Sequence, residues 1–235
     1  MKVSRLKLQG TIIGSLKKSS IFGVLTEEEL KSISPLFQKV DLQNGEYIFL
    51  EGDPAEWLYV VTNKRVKIIK HTRSGRDVLL EIKSPGEIFC CATVLDNKPY
   101  PESAQAKEAA SVIRIRRKNL LRIIDAYPLL RIMIARYLSE KLSDAYEMMK
   151  EMTTEIVESR IASLLLKLSE KAGTKDSGYN KIDFTLTRQE IADMVGTTVE
   201  TSIRVMSKFR KLKIVRSTKN TMLVDAKALR RLLSN

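Results

Sequence analysis

The sequence predicts an α+β protein made of a roll of short strands, one long helix and a small C-terminal helical unit. From about residue 39 to 116, short apolar runs are separated by turn residues such as Asn44-Gly45 and Pro85-Gly86, without strand–helix alternation. From about residue 118 the apolar residues recur with helical spacing. Near the C-terminus, two short amphipathic segments flank Gly196. Together these features indicate strands first and helices afterwards.

The chain has 235 residues, of which 43% are apolar and 29% charged, as in folded domains rather than disordered ones. We expect a basic extension over residues 1–20, a β-rich domain over 21–125, a long helix over 126–153 and a C-terminal unit over 154–235. Thr26 and Glu29 have the spacing of a capping box, which predicts a helix within residues 21–37.

The net charge of +13 is distributed unevenly. Residues 1–20 carry five Lys or Arg and no acid, and residues 181–235 carry twelve Lys or Arg against five Asp or Glu. Such a surplus indicates a polyanionic partner, either nucleic acid or an anionic membrane surface. No apolar run reaches the ~18–20 residues of a membrane span. The only cysteines, Cys90 and Cys91, are adjacent, so no disulfide framework is expected. We therefore expect a reducing, cytoplasmic location.

The long helix carries a narrow apolar stripe whose members are three and four residues apart. A stripe with this near-3.5 repeat favours a partner helix, and it predicts a homodimer; the alternative is a helix packed on its own roll. The stripe consists of Ala135, Leu138, Leu142, Ala145, Met149, Met152 and Ile156.

The segment TLTRQEIADMVGTTVETSIRVMSKFRKL, residues 185–212, is typical of a helix-turn-helix. Thr187 and Glu190 form a second capping box, and Gly196 stands where the chain must turn. On the next helix, one face has Ser202, Val205, Met206, Phe209 and Leu212; the other has Val199, Glu200, Ile203, Arg204, Ser207, Lys208 and Lys211. Residues 213–224 read as a small β-hairpin wing. The alternative is an ordinary amphipathic surface helix.

The outer face of this helix has side chains suited to a DNA major groove. Arg204 can donate two hydrogen bonds to guanine, Glu200 can accept one from cytosine, and Val199 and Ile203 can contact thymine methyl groups. A second group is placed to meet phosphates, which fixes register without reading sequence. That group is Thr187, Arg188, Gln189, Thr198 and Lys208. The expected partner is double-stranded DNA.

Three segments resemble the Crp/Fnr family of bacterial transcription regulators. They are GEYIFLEGDPAEWLYVV (45–61), SGRDVLLEIKSPGEIF (74–89) and TRQEIADMVGTTVETSIR (187–204). The resemblance implies a cyclic-nucleotide-binding-type β-roll (jelly roll) as effector-sensing domain, a dimerisation helix, a winged helix-turn-helix, and RNA polymerase as a further partner. At position 199 this sequence has Val, which is similar to the family branch whose DNA half-sites begin with TTGA rather than GTGA. At position 203 it has Ile, where that branch usually has Ser.

The resemblance also marks a tentative effector pocket, in which this sequence departs from the cyclic-AMP-binding members. Cys90-Cys91 follow Phe89 where those members have Gly-Glu, and Glu102-Ser103-Ala104 stand where they have Arg-Ser-Ala. A carboxylate instead of a guanidinium beside a phosphate is unfavourable by several kcal/mol at ~4 Å. Cyclic AMP is therefore not expected. The pocket residues are Glu87, Cys90, Cys91, Glu102, Ser103, Ala145 and Tyr146, and Ala145 cannot offer a hydroxyl to adenine.

No cofactor is predicted. Two adjacent cysteines cannot supply the four thiolates of an iron–sulfur cluster. Haem would need a Cys or Met ligand, since the only histidine, His71, is expected on the outside of the roll. Cys90 and Cys91 have two interpretations, redox sensing or packing.

No metal is expected, and a lone His71 gives no basis for a Ser-His-Asp enzyme. The main alternative to a DNA-binding regulator is a receptor module that binds a cyclic nucleotide or other small ligand and acts on a protein partner.

Overall fold

The computed structural model describes residues 2–72, 75, 77–172, 174–176, 178–218 and 221–234. It divides into two compact units, residues 1–143 and 144–235. Within the described residues, no helix combines the length and apolar character that a membrane crossing requires.

The first unit opens with helix α1 (Lys2–Lys18), followed by a 3₁₀ turn at Phe22–Val24, helix α2 (Glu27–Ile33) and a second 3₁₀ turn at Ser34–Leu36. The predicted capping box forms at α2, because the Thr26 side chain accepts from Glu29 N–H and the Glu29 carboxylate accepts from Thr26 N–H at 2.7 Å. Helix α1 differs from the separate extension predicted for residues 1–20. Its Ile12 and Leu16 are buried in the core of the roll.

Eight strands form the roll in the part of the first unit that the structure describes. They are β1 (Phe37–Leu42), β2 (Tyr47–Phe49), β3 (Trp57–Asn63), β4 (Val66–His71), β5 (Asp77–Lys83), β6 (Ile88–Phe89), β7 (Ser103–Ala106) and β8 (Ala110–Arg116). One antiparallel sheet has the order β1-β8-β3-β6 and the other β2-β7-β4-β5. Both contribute to one core, in which Val60 and Ile113 of the first sheet join Phe49 and Ala104 of the second. The predicted roll is confirmed, and its strands pair antiparallel.

Three helices follow or interrupt these strands. They are α3 (Cys91–Asp96), between β6 and β7, α4 (Arg117–Ala126) and α5 (Leu129–Thr154). Helix α5 is close to the predicted 126–153. Its early residues Leu130 and Ile134 are buried against the roll.

The second unit begins within α5 and contains the helix-turn-helix. Its elements are α6 (Val157–Ala172), β9 (Thr174–Asp176), β10 (Tyr179–Ile182), α7 (Arg188–Val195), α8 (Val199–Lys211), β11 (Val215–Ser217), β12 (Met222–Val224) and α9 (Ala226–Leu233). The predicted wing is confirmed as the β11–β12 hairpin, which joins β10 and β9 in one antiparallel sheet. Between α6 and α7, strands β9 and β10 pair antiparallel.

Candidate functional site

Helix α8 presents the outer face that the sequence predicts. The residues of the inner face, Ser202, Val205, Met206 and Phe209, are buried, whereas Glu200, Ile203 and Arg204 are exposed and Val199 is half-buried. Leu212 is an exception: it was expected on the inner face but is 57% exposed, because α8 ends at Lys211.

The start of each helix in the motif is fixed by local hydrogen bonds. Thr187 and Glu190 form the predicted capping box of α7, with Glu190 N–H donating to Thr187 Oγ1 at 3.0 Å. Thr198 caps α8 by accepting from Thr201 N–H at 3.2 Å. Between them, Gly196 ends α7 with φ of +67°, a conformation that favours glycine. These bonds hold the outer face of α8 in place before any partner binds.

The residues predicted to read bases and those predicted to contact phosphates differ in their hydrogen-bond and ion-pair partners within the protein. In the described part of the chain, neither Glu200 nor Arg204 has a hydrogen bond or ion pair, so both are available to a ligand. Gln189 donates to Asp193 at 2.7 Å, and the Lys208 ammonium lies 2.7 Å from the Glu158 carboxylate. A phosphate would have to compete with Glu158 for Lys208.

Arg188 lies partly buried at the start of α7. Burial lowers the pKa of its guanidinium, and the nearby charge of Arg210 lowers it further. Two like charges at this end of the motif give an electropositive surface suited to phosphate.

The first unit contains a cavity of about 190 Å³ between the roll and the early part of α5. Of the predicted pocket residues, Cys90, Cys91 and Glu102 line it. The complete lining is Phe49, Ile68, Glu81, Lys83, Phe89, Cys90, Cys91, Ala92, Thr93, Glu102, Tyr137, Leu138 and Lys141. Sequence reasoning missed Glu81, Lys83 and Lys141.

Four predicted pocket residues do not line the cavity. Glu87 instead accepts the N–H of Ser84 at 2.8 Å, and Ser103 is fully buried within β7. Ala145 and Tyr146 belong to the second unit and are exposed.

Three charged groups in the cavity form one ion network. The Glu81 carboxylate lies 2.8 Å from Lys83 and 2.7 Å from Lys141, which joins strand β5 to helix α5. Burial alone would raise the pKa of Glu81, but the two lysine charges outweigh it and lower the pKa to about 2. Burial lowers the pKa of Lys83, whose side chain is only 4% exposed. The signal for these residues is only their own spacing of two, which places Glu81 and Lys83 on one face of β5, because a β-bulge between Leu79 and Glu81 breaks the alternation with buried Leu79.

The two cysteines line the cavity, Cys90 half-buried and Cys91 buried. Burial, and then the charge of Glu102, raise the pKa of the Cys90 thiol well above its usual value, and burial raises that of Cys91 to about 12. Both thiols are therefore protonated at neutral pH. Because a redox sensor depends on a thiolate, this chemistry favours packing over sensing.

Cys90 has a left-handed backbone, with φ of +67° at the start of α3, at the position where the resemblance places the Gly of the cyclic-AMP-binding members. We expect Cys90→Gly to be more stable than Cys90→Ala by about 1 kcal/mol, because only glycine adopts this conformation without strain. Denaturant unfolding of the two variants measures this difference. At Cys91, whose backbone is helical, the order should reverse. If Cys90→Ala were as stable as Cys90→Gly, the left-handed backbone at position 90 would not be strained.

His71 makes contacts that the sequence did not predict. Its Nδ1 lies 2.6 Å from the Asp77 carboxylate and its Nε2 lies 2.8 Å from Ser103 Oγ. Ser103, His71 and Asp77 are thus linked in the manner of a hydrolase triad, whereas we had no basis in the sequence to expect a Ser-His-Asp arrangement. However, Ser103 is fully buried and its Oγ accepts the N–H of Glu51 at 2.8 Å, so no substrate can approach it. The three residues tie β4, β5 and β7 together.

Among the described side chains, no three of His, Cys, Asp or Glu cluster as a metal site would require.

Comparison with known proteins matches two segments of the chain to two domain models. Residues 39–127 match the cyclic nucleotide-binding domain and residues 159–232 match the Crp-like helix-turn-helix domain. The chain belongs to the Crp/Fnr family of transcription regulators. This Crp/Fnr regulator accordingly combines a cyclic-nucleotide-binding-type β-roll with a helix-turn-helix DNA-binding domain.

Similar proteins come from both branches of the family. The CRP-like cAMP-activated global transcriptional regulator of Mycobacterium tuberculosis is 27% identical over 217 residues, covering 92% of this chain and 97% of that protein. The transcriptional activator protein anr of Pseudomonas aeruginosa is 28% identical over 187 residues, covering 79% and 76%. These relatives are transcriptional regulators, a class that normally has no catalytic activity.

Solved structures share the fold. FixK2 from Bradyrhizobium japonicum superposes with a TM-score of 0.73 at 22% identity, covering 83% of this chain and 96% of that chain. The catabolite activator protein of Thermus thermophilus has a TM-score of 0.54 at 27% identity, covering 92% and 99%.

Proposed function

We propose that this regulator is a cytoplasmic homodimer that binds a TTGA-like inverted repeat in double-stranded DNA and contacts RNA polymerase. The observation that carries the proposal is the outer face of α8, where Glu200 and Arg204 are exposed beside Ile203 and Val199. Bidentate donation by Arg204 and acceptance by Glu200 would read adjacent G·C pairs. Two such helices, related by a two-fold axis, would read the two half-sites.

The proposed dimer rests on the exposed apolar residues of α5 and of the segment after it. Leu142, Met149, Met152 and Ile156 are each more than half exposed. Monomeric proteins rarely leave such a continuous apolar stripe in water. Leu138, the second residue of the stripe, is half-buried and also lines the cavity. The part of the stripe from Leu142 onwards is therefore the proposed contact.

We further propose that the sensor cavity does not bind cyclic AMP. Its volume of about 190 Å³ lies below the ~300–1,000 Å³ typical of ligand pockets. Lys83 and Lys141 do bring positive charge to it, but Glu81 already pairs with both. Glu102 adds a carboxylate whose pKa is raised by burial. This charge pattern does not fit a cyclic phosphate, and a calorimetric titration with cyclic AMP should show no saturable heat.

Selection from random duplex DNA tests the proposal, using reduced protein without added effector at fixed salt. We expect a TTGA-type inverted repeat. In the same assay Arg204→Ala should lose about 1–3 kcal/mol of binding free energy and relax the preference at one G·C pair, because it removes a base contact. Lys208→Ala is the matched control and should weaken all sequences evenly. The proposal would be contradicted if the wild type enriched no DNA sequence. It would also be contradicted if Arg204→Ala weakened binding to all sequences equally.

A further inference from the structure

One guanidinium in the second unit links two parts of the backbone that are distant in sequence. Arg160, on the first turn of α6, donates from Nη1 to the carbonyl of Met152 at 3.1 Å and from Nη2 to the carbonyl of Gly196 at 3.4 Å. Met152 belongs to the last turn of α5, and Gly196 forms the turn of the helix-turn-helix. Arg160 therefore fastens the end of the long helix to the DNA-binding motif.

The same junction has a close apolar contact. The Met152 methyl group lies only 2.8 Å from the point where a Cβ on Gly196 would stand, so the methyl rests against the turn itself. A cavity of about 60 Å³ beside it is lined by Met148, Leu164 and Met194, among others. The Glu151 carboxylate adds a polar link, accepting from Ser163 of α6 at 2.7 Å.

The Arg160 guanidinium is not satisfied completely. Its Nε is buried and has no hydrogen-bond partner in the described part of the chain. Burying an unpaired donor costs free energy, because the donor loses its hydrogen bond to water and gains none in the protein. A side chain kept at such a cost is better explained by the geometry that it fixes than by stability. Here the contacts of Arg160 fix the end of α5 relative to Gly196, which lies three residues before the start of α8 at Val199.

We infer that Arg160 is a positioning residue that sets the distance and angle between the two recognition helices of the dimer. The inference rests on the proposed function, since it requires a dimer that reads two half-sites. The α5 helices would meet at the dimer contact, and each α8 would be held at a fixed offset from its α5 through Met152, Arg160 and Gly196. Arg160 would not touch the bases, and it would act only through the position of α8.

Half-site spacing provides the test. One added base pair moves a half-site by about 3.4 Å and rotates it by about a tenth of a turn. We would measure the affinity of the full-length protein for the selected inverted repeat with its spacer shortened or lengthened by one base pair. The wild type should lose about tenfold or more with each change. Arg160→Met should lose less than about threefold, because its recognition helices adjust to the new spacing.

Two controls separate positioning from folding and from charge. Arg160→Lys keeps the charge but can reach only one of the two carbonyls, and it should show an intermediate dependence on spacing. Arg230→Met removes a cation that pairs with Glu170 at 2.6 Å on the α9 side of α6, and it should behave as the wild type does. All variants should bind an isolated half-site with the wild-type affinity.

The possible outcomes distinguish this inference from the proposed function. If the wild type shows no spacing preference, or does not bind the repeat, the proposed function fails. If the wild type is selective and Arg160→Met is equally selective, the positioning role alone is wrong. A loss of isolated half-site binding in Arg160→Met equal to its loss on the full repeat would also overturn the positioning role, because Arg160 would then support the helix-turn-helix itself.

Discussion

Glu81→Gln should destabilise the first unit by about 3 kcal/mol, because it removes the carboxylate that is ion-paired with both Lys83 and Lys141. Breaking a buried ion pair leaves an uncompensated charge and typically costs about 3–5 kcal/mol. The low end applies because the side chains of Glu81 and Lys141 are each 32% exposed. Urea unfolding at neutral pH measures the change.

The exposed pair Lys150–Glu147, 3.4 Å apart, provides a matched control. Glu147→Gln removes the same charge from an open surface and should change stability by no more than about 0.5–1 kcal/mol. Adding Lys83→Met to Glu81→Gln should recover part of the loss, because the most buried lysine then no longer needs a partner. Equal stability of Glu81→Gln and wild type would show that the network contributes nothing.

The same network predicts a dependence on pH. The pKa of Glu81 is lowered to about 2 in the folded protein, from an ordinary value of 4.5. A lowered carboxyl pKa contributes stability above the unfolded value, and the contribution is lost as the pH falls through the folded value. Stability should therefore decline between about pH 4.5 and 2, and the decline should be shallower in Glu81→Gln.

Leu142→Asp combined with Met149→Asp should convert the protein to monomers and weaken binding to the inverted repeat by about 100-fold or more. The side chains of Leu142 and Met149 are 56% and 62% exposed, so the substitutions leave the core of each unit intact. Two carboxylates would be buried at the proposed helix contact, which is unfavourable without partners. Loss of the second recognition helix removes the avidity of two linked sites, worth about 10²–10⁴ in affinity.

Sedimentation velocity gives the oligomeric state and a binding titration gives the affinity. Leu80→Asp is the control, because Leu80 is 40% exposed on strand β5 and lies outside the stripe. It should leave both the dimer and DNA binding unchanged. If the double variant remained dimeric, the stripe on α5 would not be the interface.

Features set by neighbouring residues were predictable from the sequence. The capping boxes at Thr26 and Thr187 form as expected, since each needs only residues three positions apart. The buried and exposed faces of α8 follow from helical spacing alone, up to Leu212, where the helix has ended. The roll was predictable as a class because turn residues separate its strands.

Features set by distant partners were not predictable. Lys141 meets Glu81 across 60 positions, and Arg160 meets Gly196 across 36. Pairing between His71 and Ser103 likewise depends on the register of β4 against β7. The stretch 174–181 is polar, as in many linkers, but β12 provides an edge on which β10 pairs, and β9 pairs with β10 in turn. A single sequence records neither register nor such neighbours.

The core of the roll also has a consequence for how the nascent chain folds. Its buried side chains run from Ile12 in α1 to Ile134 in α5, and β1 pairs with β8, so that Phe37 stands opposite Ile115. Closing contacts between such remote residues is slow because the intervening chain must lose its freedom first. The ribosome must therefore synthesise the chain as far as Ile134 before the core of the roll can be completed. Until then the apolar face of α1 lacks its full packing, and the newly made roll is a natural client for chaperones.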